Sequence, residues 1–165
     1  MAHDDLFDLA KRAGERLQQR SLKVVTAESC TGGWVAACLT AIAGSSAWFE
    51  RGFVTYSNDA KRETLGVSSE VLDANGAVSE AVACEMARGA LRKSRADVAV
   101  SVTGIAGPGG GSPDKPVGTV CFAWAGPRDA VVCQTVRFSG DREEVRRQSV
   151  AEALAGVLRQ LDRSG

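Results

Sequence analysis

Apolar and polar residues alternate with two different periods along the chain, and the switches between them outline an α/β protein. Leu6, Leu9, Ala10, Ala13 and Leu17 recur at helical spacing, so residues 4–19 read as an amphipathic helix. Leu22 to Ala27 is short and almost wholly apolar, as expected of a buried strand. Thr31 to Ala43 is apolar over a helical length, with Gly44 where a helix would stop. Trp48 to Tyr56 predicts a second strand. Asn58 is placed to cap a short helix that runs to Leu65 and ends at Gly66, and Ser79 to cap a helix through Leu91. Asp97 to Thr103 predicts the third strand. Val117 to Trp124 and Ala130 to Phe138 predict two more, joined closely enough to be antiparallel. Val145, Val150, Leu154, Val157, Leu158 and Leu161 stripe a last helix that starts near Asp141.

This order is α-β-α-β-α-α-β-β-β-α. Early strands alternate with helices and late strands cluster. The pattern predicts a three-layer α/β/α sandwich in one domain spanning 1–165. Its sheet is mixed and mostly parallel, with about five strands and one antiparallel strand near an edge. Residues 104–111 hold five of the eighteen glycines, and three of the four prolines fall between 108 and 116, so that stretch is a loop.

Charge and composition narrow the chemistry. Twenty basic residues face twenty acidic ones, and the balance holds along the chain. Nucleic acid and anionic membrane are therefore not expected partners. The single histidine, His3, argues against histidine triads and histidine-rich metal sites. Five cysteines at 30, 38, 84, 121 and 133 form no C-x-x-C pair, so no zinc or redox motif is present and no metal or cofactor is expected. Without an apolar signal core or a membrane-length apolar run, the expected location is the cytoplasm.

Sites in open α/β sheets form beyond the carboxyl ends of parallel strands. Three such ends are polar here: Thr26-Ala27-Glu28-Ser29-Cys30-Thr31-Gly32-Gly33, Tyr56-Ser57-Asn58-Asp59-Ala60-Lys61, and Thr103-Gly104-Ile105-Ala106-Gly107-Pro108. Ser29 sits at a strand-to-helix turn. Its hydroxyl is either an exposed nucleophile backed by N–H groups or a plain helix cap. Cys30 is the neighbouring rival nucleophile. Lys61 is the available base if its site disfavours the cation, and an ordinary solvated lysine otherwise. Tyr56, the only tyrosine, can relay a proton between them or merely pack its ring. The glycine loop lacks the Gly-Lys-Ser/Thr ending of a P-loop. Ser139-Gly140-Asp141-Arg142 opens the last helix, where N–H groups and Arg142 could hold a phosphate, or where the helix simply starts.

Taken together, TAESCTGG (26–33), GSSAWFERGFVTYSNDAK (44–61), GAVSE (76–80), SVTGIAGPGGG (101–111), KPVGTV (115–120) and FSGDR (138–142) resemble the CinA C-terminal domain family, and within it the stand-alone nicotinamide-nucleotide amidases. The likeness runs through residues 5–160. Longer relatives carry a further N-terminal domain that is not expected here. The resemblance implies an α/β/α sandwich that hydrolyses the carboxamide of nicotinamide mononucleotide (NMN) to nicotinate mononucleotide and ammonia, in pyridine-nucleotide recycling. It also implies a serine and a lysine in place of a histidine triad, roles that match Ser29 and Lys61. The expected oxyanion donors are backbone groups around Cys30, Thr31 and Gly32 or Thr103 and Gly104. The expected partner is this small molecule, in a homo-oligomer of two or more chains. The alternative is a non-catalytic ligand- or partner-binding domain linked to competence or DNA damage.

Overall fold

In the computed structural model, which describes residues 3–163, the chain runs α1 (His3–Gln19), β1 (Val24–Glu28), α2 (Trp34–Thr40), β2 (Phe49–Val54), α3 (Asn58–Leu65), α4 (Ser69–Asn75), α5 (Glu80–Arg92), β3 (Val98–Gly104), β4 (Thr119–Ala125), β5 (Val131–Arg137) and α6 (Arg142–Arg163). The strand order is β2-β1-β3-β4-β5. β1 pairs in parallel with β2 and with β3, while β4 runs antiparallel to both β3 and β5. One strand is therefore reversed, next to an edge, as the close Ala130 connection predicted.

Alternation along the central strands sorts the helices onto two faces. Val98, Val100 and Val102 of β3, with Val120, Phe122 and Trp124 of β4, pack into one cluster with α1, α2 and α6. The intervening Ala99, Cys121, Ala123 and Ala125 face α3, α4 and α5. The second face is lined by small residues on both sides. Ala83, Ala87 and Ala90 of α5 are fully buried there, and Ser101 Oγ donates to the Ala83 carbonyl at 2.6 Å. Gly89 carries α3 close as well, since any Cβ on it would run into the Leu65 carbonyl. α3 thus lies tight against α5, near the carboxyl end of β1.

Three local expectations need correction. Helix α2 starts at Trp34 rather than Thr31, because Gly32 (φ 59°) and Gly33 (φ 102°) take left-handed conformations and hold residues 29–33 in a turn. The cap of α3 is Ser57, whose hydroxyl accepts from Ala60 N at 3.0 Å, so Asn58 is left to point elsewhere. α4 was not expected. It has seven residues, too few to show a hydrophobic period, and Ser68 caps it by accepting from Val71 N.

Candidate active site

The chain leaves β1 toward β2 on one side and later returns to β3 on the other. The carboxyl ends of β1 and β3 therefore flank a switch point, where open α/β sheets place their ligands. A cavity of about 270 Å³ opens there. Its walls include Ser29, Cys30, Tyr56, Asn58, Lys61, Thr103, Gly104 and Arg142.

Ser29 is pinned to this end of the sheet by its own N–H, which donates to the Val102 carbonyl of β3 at 2.9 Å. The turn that follows is held from behind by Glu28. This carboxylate is fully buried and accepts from Thr31 Oγ1 at 2.5 Å, Val35 N at 2.9 Å and Ala36 N at 3.0 Å. An anion at the first turn of a helix satisfies N–H groups that have no partner within the helix and sits favourably in its dipole. Glu28 thus caps α2 from the end of β1, and the groups that donate to it lie in the turn and helix rather than on Lys61.

Lys61 is 1 % exposed. It shares the inward face of α3 with Leu65, one turn on, while Asp59 and Glu63 lie outside. Its Nζ lies 2.9 Å from Ser29 Oγ and donates to the Thr55 carbonyl at 2.9 Å. Burial pulls this amine below the ordinary lysine value, against a smaller opposing effect from the Cys30 sulfur. The Cys30 thiol moves the other way, pushed up to about 12 mainly by burial. That shift favours the protonated thiol at neutral pH, a weaker nucleophile than a thiolate.

Tyr56 lies past the end of β2 and is 59 % exposed. Its hydroxyl accepts from Arg142 Nη2 at 3.0 Å, while Arg142 Nη1 donates to the Gly107 carbonyl at 2.7 Å. The phenol therefore sits at the rim, hydrogen-bonded to the arginine, and its ring is not packed away. One α6 N–H at the same place is taken: the Asp141 side chain accepts from Glu144 N at 2.9 Å. Of the segment 139–142, Arg142 alone lines the cavity wall.

A model of the CinA C-terminal domain matches residues 6–161. The chain belongs to the CinA C-terminal domain family. It is 57% identical over 160 residues to the nicotinamide-nucleotide amidohydrolase PncC of Escherichia coli K12, covering 97% of each protein. It is also 54% identical to a CinA-like protein of Syntrophobacter fumaroxidans, across 91% of this chain but 35% of that longer protein. Among solved structures, the competence/damage inducible protein CihA of Agrobacterium tumefaciens superposes with a TM-score of 0.92 at 51% identity, covering 96% of both chains.

Of the residues singled out in the sequence, Ser29, Cys30, Tyr56, Lys61, Thr103, Gly104 and Arg142 come together around one cavity. Thr31 and Gly32 do not reach its wall. Thr31 is fully buried with its hydroxyl on Glu28, and Gly32 turns the chain behind Ser29. The Thr103 hydroxyl donates to the Ala77 carbonyl at 2.9 Å, tying the α4–α5 connection, whose Ala77 and Val78 also line the cavity, to the end of β3. Two residues were missed. Asn58 was assigned a capping role and instead faces the cavity. Arg146 contacts the turn after Ser29, and its spacing of four from Arg142 was the available signal. Among the described residues, no three His, Cys, Asp or Glu side chains gather where they could hold a metal.

Proposed function

We propose that this protein hydrolyses the carboxamide of NMN to nicotinate mononucleotide and ammonia, with Ser29 as nucleophile and Lys61 as base. One observation carries the reading: a buried lysine amine 2.9 Å from a serine hydroxyl, in a cavity at the sheet's switch point. The substrate is suggested by the name of the 57% identical relative.

In this mechanism neutral Lys61 takes the hydroxyl proton as Ser29 Oγ bonds to the carboxamide carbon. The carbonyl oxygen becomes an oxyanion, held by N–H groups at Cys30–Thr31 or Thr103–Gly104. When the tetrahedral species collapses, the C–N bond breaks and the Lys61 proton goes to the departing nitrogen, releasing ammonia. Water then attacks the Ser29 ester, giving one proton to Lys61, and the acid departs as the Ser29 hydroxyl re-forms. The direct contact between Lys61 and Ser29 favours a base that works without Tyr56. Tyr56 then serves to hold Arg142, the cation available to the substrate phosphate. The reading includes a cytoplasmic place in pyridine-nucleotide recycling and assembly as a homo-oligomer. A non-catalytic binding domain gives no reason to keep an amine buried against a serine hydroxyl, since burying it costs stability.

The test is ammonia release from NMN. Ser29→Ala should stay folded and still bind NMN while losing at least about a thousandfold in kcat. Turnover by that variant within about threefold of the unmodified protein refutes the acyl-enzyme.

A further inference from the structure

The ladder between β1 and β3 stops just short of the reacting pair and leaves one backbone donor behind. Its last paired residues are Glu28 and Val102, and one further bond follows, from the Ser29 N–H to the Val102 carbonyl at 2.9 Å. The N–H and C=O groups of successive residues point to opposite sides of a strand, so every second residue of β3 addresses β1. Val102 does so. Ile105 addresses β4 instead, with its N–H on the Thr119 carbonyl at 2.9 Å. Gly104 therefore turns its N–H to the β1 side, two residues past Val102, where β1 has already given way to the turn after Ser29. A continued ladder would offer it the Ser29 carbonyl, but the Gly32 N–H donates there at 3.0 Å. Among the described residues no group accepts from the Gly104 N–H.

Gly104 is half-buried and shares the cavity wall with Ser29 and Lys61. Neighbouring donors are otherwise committed. The Ser29 N–H is spent on Val102, Thr103 addresses β4 as Ile105 does, and Thr31 is fully buried outside the wall. Lys61 reaches Ser29 from α3, on one face of the sheet, whereas the Gly104 N–H lies along the sheet's own edge. Base and donor thus approach the serine from different directions. We infer that the Gly104 N–H is a catalytic group, which donates to the oxyanion formed when Ser29 attacks the carboxamide. An N–H held in place by the strand and bonded to nothing in the resting protein gives up no bond when that charge develops. The inference rests on Ser29 being the nucleophile.

A backbone donor is tested by exchanging its amide for an ester, which removes the N–H and keeps the shape of the chain. Cys84 and Cys121 are junctions at which residues 84–120 can be joined in as a synthetic peptide. Three such chains are compared: all-amide, Gly104→glycolic acid, and Ile105→its α-hydroxy acid, which loses an N–H the ladder uses. One assay is NMN hydrolysis. The other is labelling by a fluorophosphonate: Lys61 takes the Ser29 proton, Oγ bonds to phosphorus, fluoride leaves, and the phosphoryl oxygen occupies the oxyanion position. The Gly104 ester should keep the all-amide melting temperature and a KM within about threefold, while kcat falls about 10²–10³-fold and labelling at least about tenfold. The Ile105 ester should melt lower and keep both rates within about threefold. All-amide rates in the Gly104 ester, a loss confined to KM, or a loss of stability like that of the Ile105 ester overturns the inference. Gly104→Pro, expressed as a whole chain, removes the same N–H and should lose the same rates; retention of either rate overturns the inference. If one of these two variants fails to fold the other decides, and failure of both overturns it. Unmodified protein that labels at Ser29 but leaves NMN intact defeats the proposed substrate, while the labelling ratios still judge Gly104. Absence of labelling at Ser29 overturns both.

Discussion

Replacing Lys61 with methionine should cost activity while changing stability near neutral pH by no more than about 2 kcal/mol, and the pH dependence of the stability difference tests the cause. In the native protein the amine is 1 % exposed and donates to the Thr55 carbonyl at 2.9 Å. Methionine fills similar space but leaves that carbonyl without its donor, at a cost of about 1–3 kcal/mol. It also removes the penalty of holding an ammonium away from water, worth about 1.4 kcal/mol for each unit by which burial lowers the lysine pKa. These effects oppose, so the net change should stay within about 2 kcal/mol. Their pH dependences do not cancel. Below its folded pKa, Lys61 is protonated in both states and the difference is constant. As pH rises through that value, the folded lysine loses its proton while the unfolded one keeps it to about 10.4, so the native protein gains stability relative to Lys61→Met. The gain is complete above the unfolded value and is lost as pH falls through the folded one. The Cys30 thiol, at about 12, titrates above this window. Urea denaturation of both proteins across the neutral to alkaline range measures the difference. The acid limb of kcat/KM should show the same midpoint, because the neutral amine is the active base, and Lys61→Met should lose about 10²–10⁴ in kcat. A flat or reversed stability difference, or an acid limb at the ordinary lysine value, refutes the buried neutral base.

Two further variants probe the surroundings of the pair. Arg142→Ala should raise KM for NMN about tenfold or more with a smaller change in kcat, since a phosphate contact is alike in ground and transition states; equal kcat/KM of the unmodified protein on the dephosphorylated nucleoside would exclude a phosphate site. Glu28→Gln places an amide N–H₂ against the donors of Thr31, Val35 and Ala36, and should destabilise the fold by about 2–3 kcal/mol in urea denaturation; a change below about 0.5 kcal/mol would show that the carboxylate is not the cap of α2.

What was legible in the chain follows the range of the interactions responsible. β3 and β4 are recognisable because each buries both faces, and the reversal of β4 is recognisable because a short connection leaves the chain no other return. Ser29 and Lys61 drew notice as residue types near strand ends, but spacing alone could not tell a buried amine from a solvated one. The helix itself held the distinction. Lys61 lies four residues before Leu65, which is fully buried, and so occupies the one face of an otherwise polar helix that must point inward. The turn after Ser29 was misread as helix for the opposite reason. Its shape depends on Glu28 bonding across seven and eight residues to Val35 and Ala36, and on Arg146 reaching back across more than a hundred. The Gly32-Gly33 pair marked where a left-handed turn was possible, but the groups that select it lie elsewhere in the fold. The chemistry therefore sits where local pattern and long-range contact disagree, with an amine on a core-facing position and an apolar helical run whose first turn is given up to hold a serine in place.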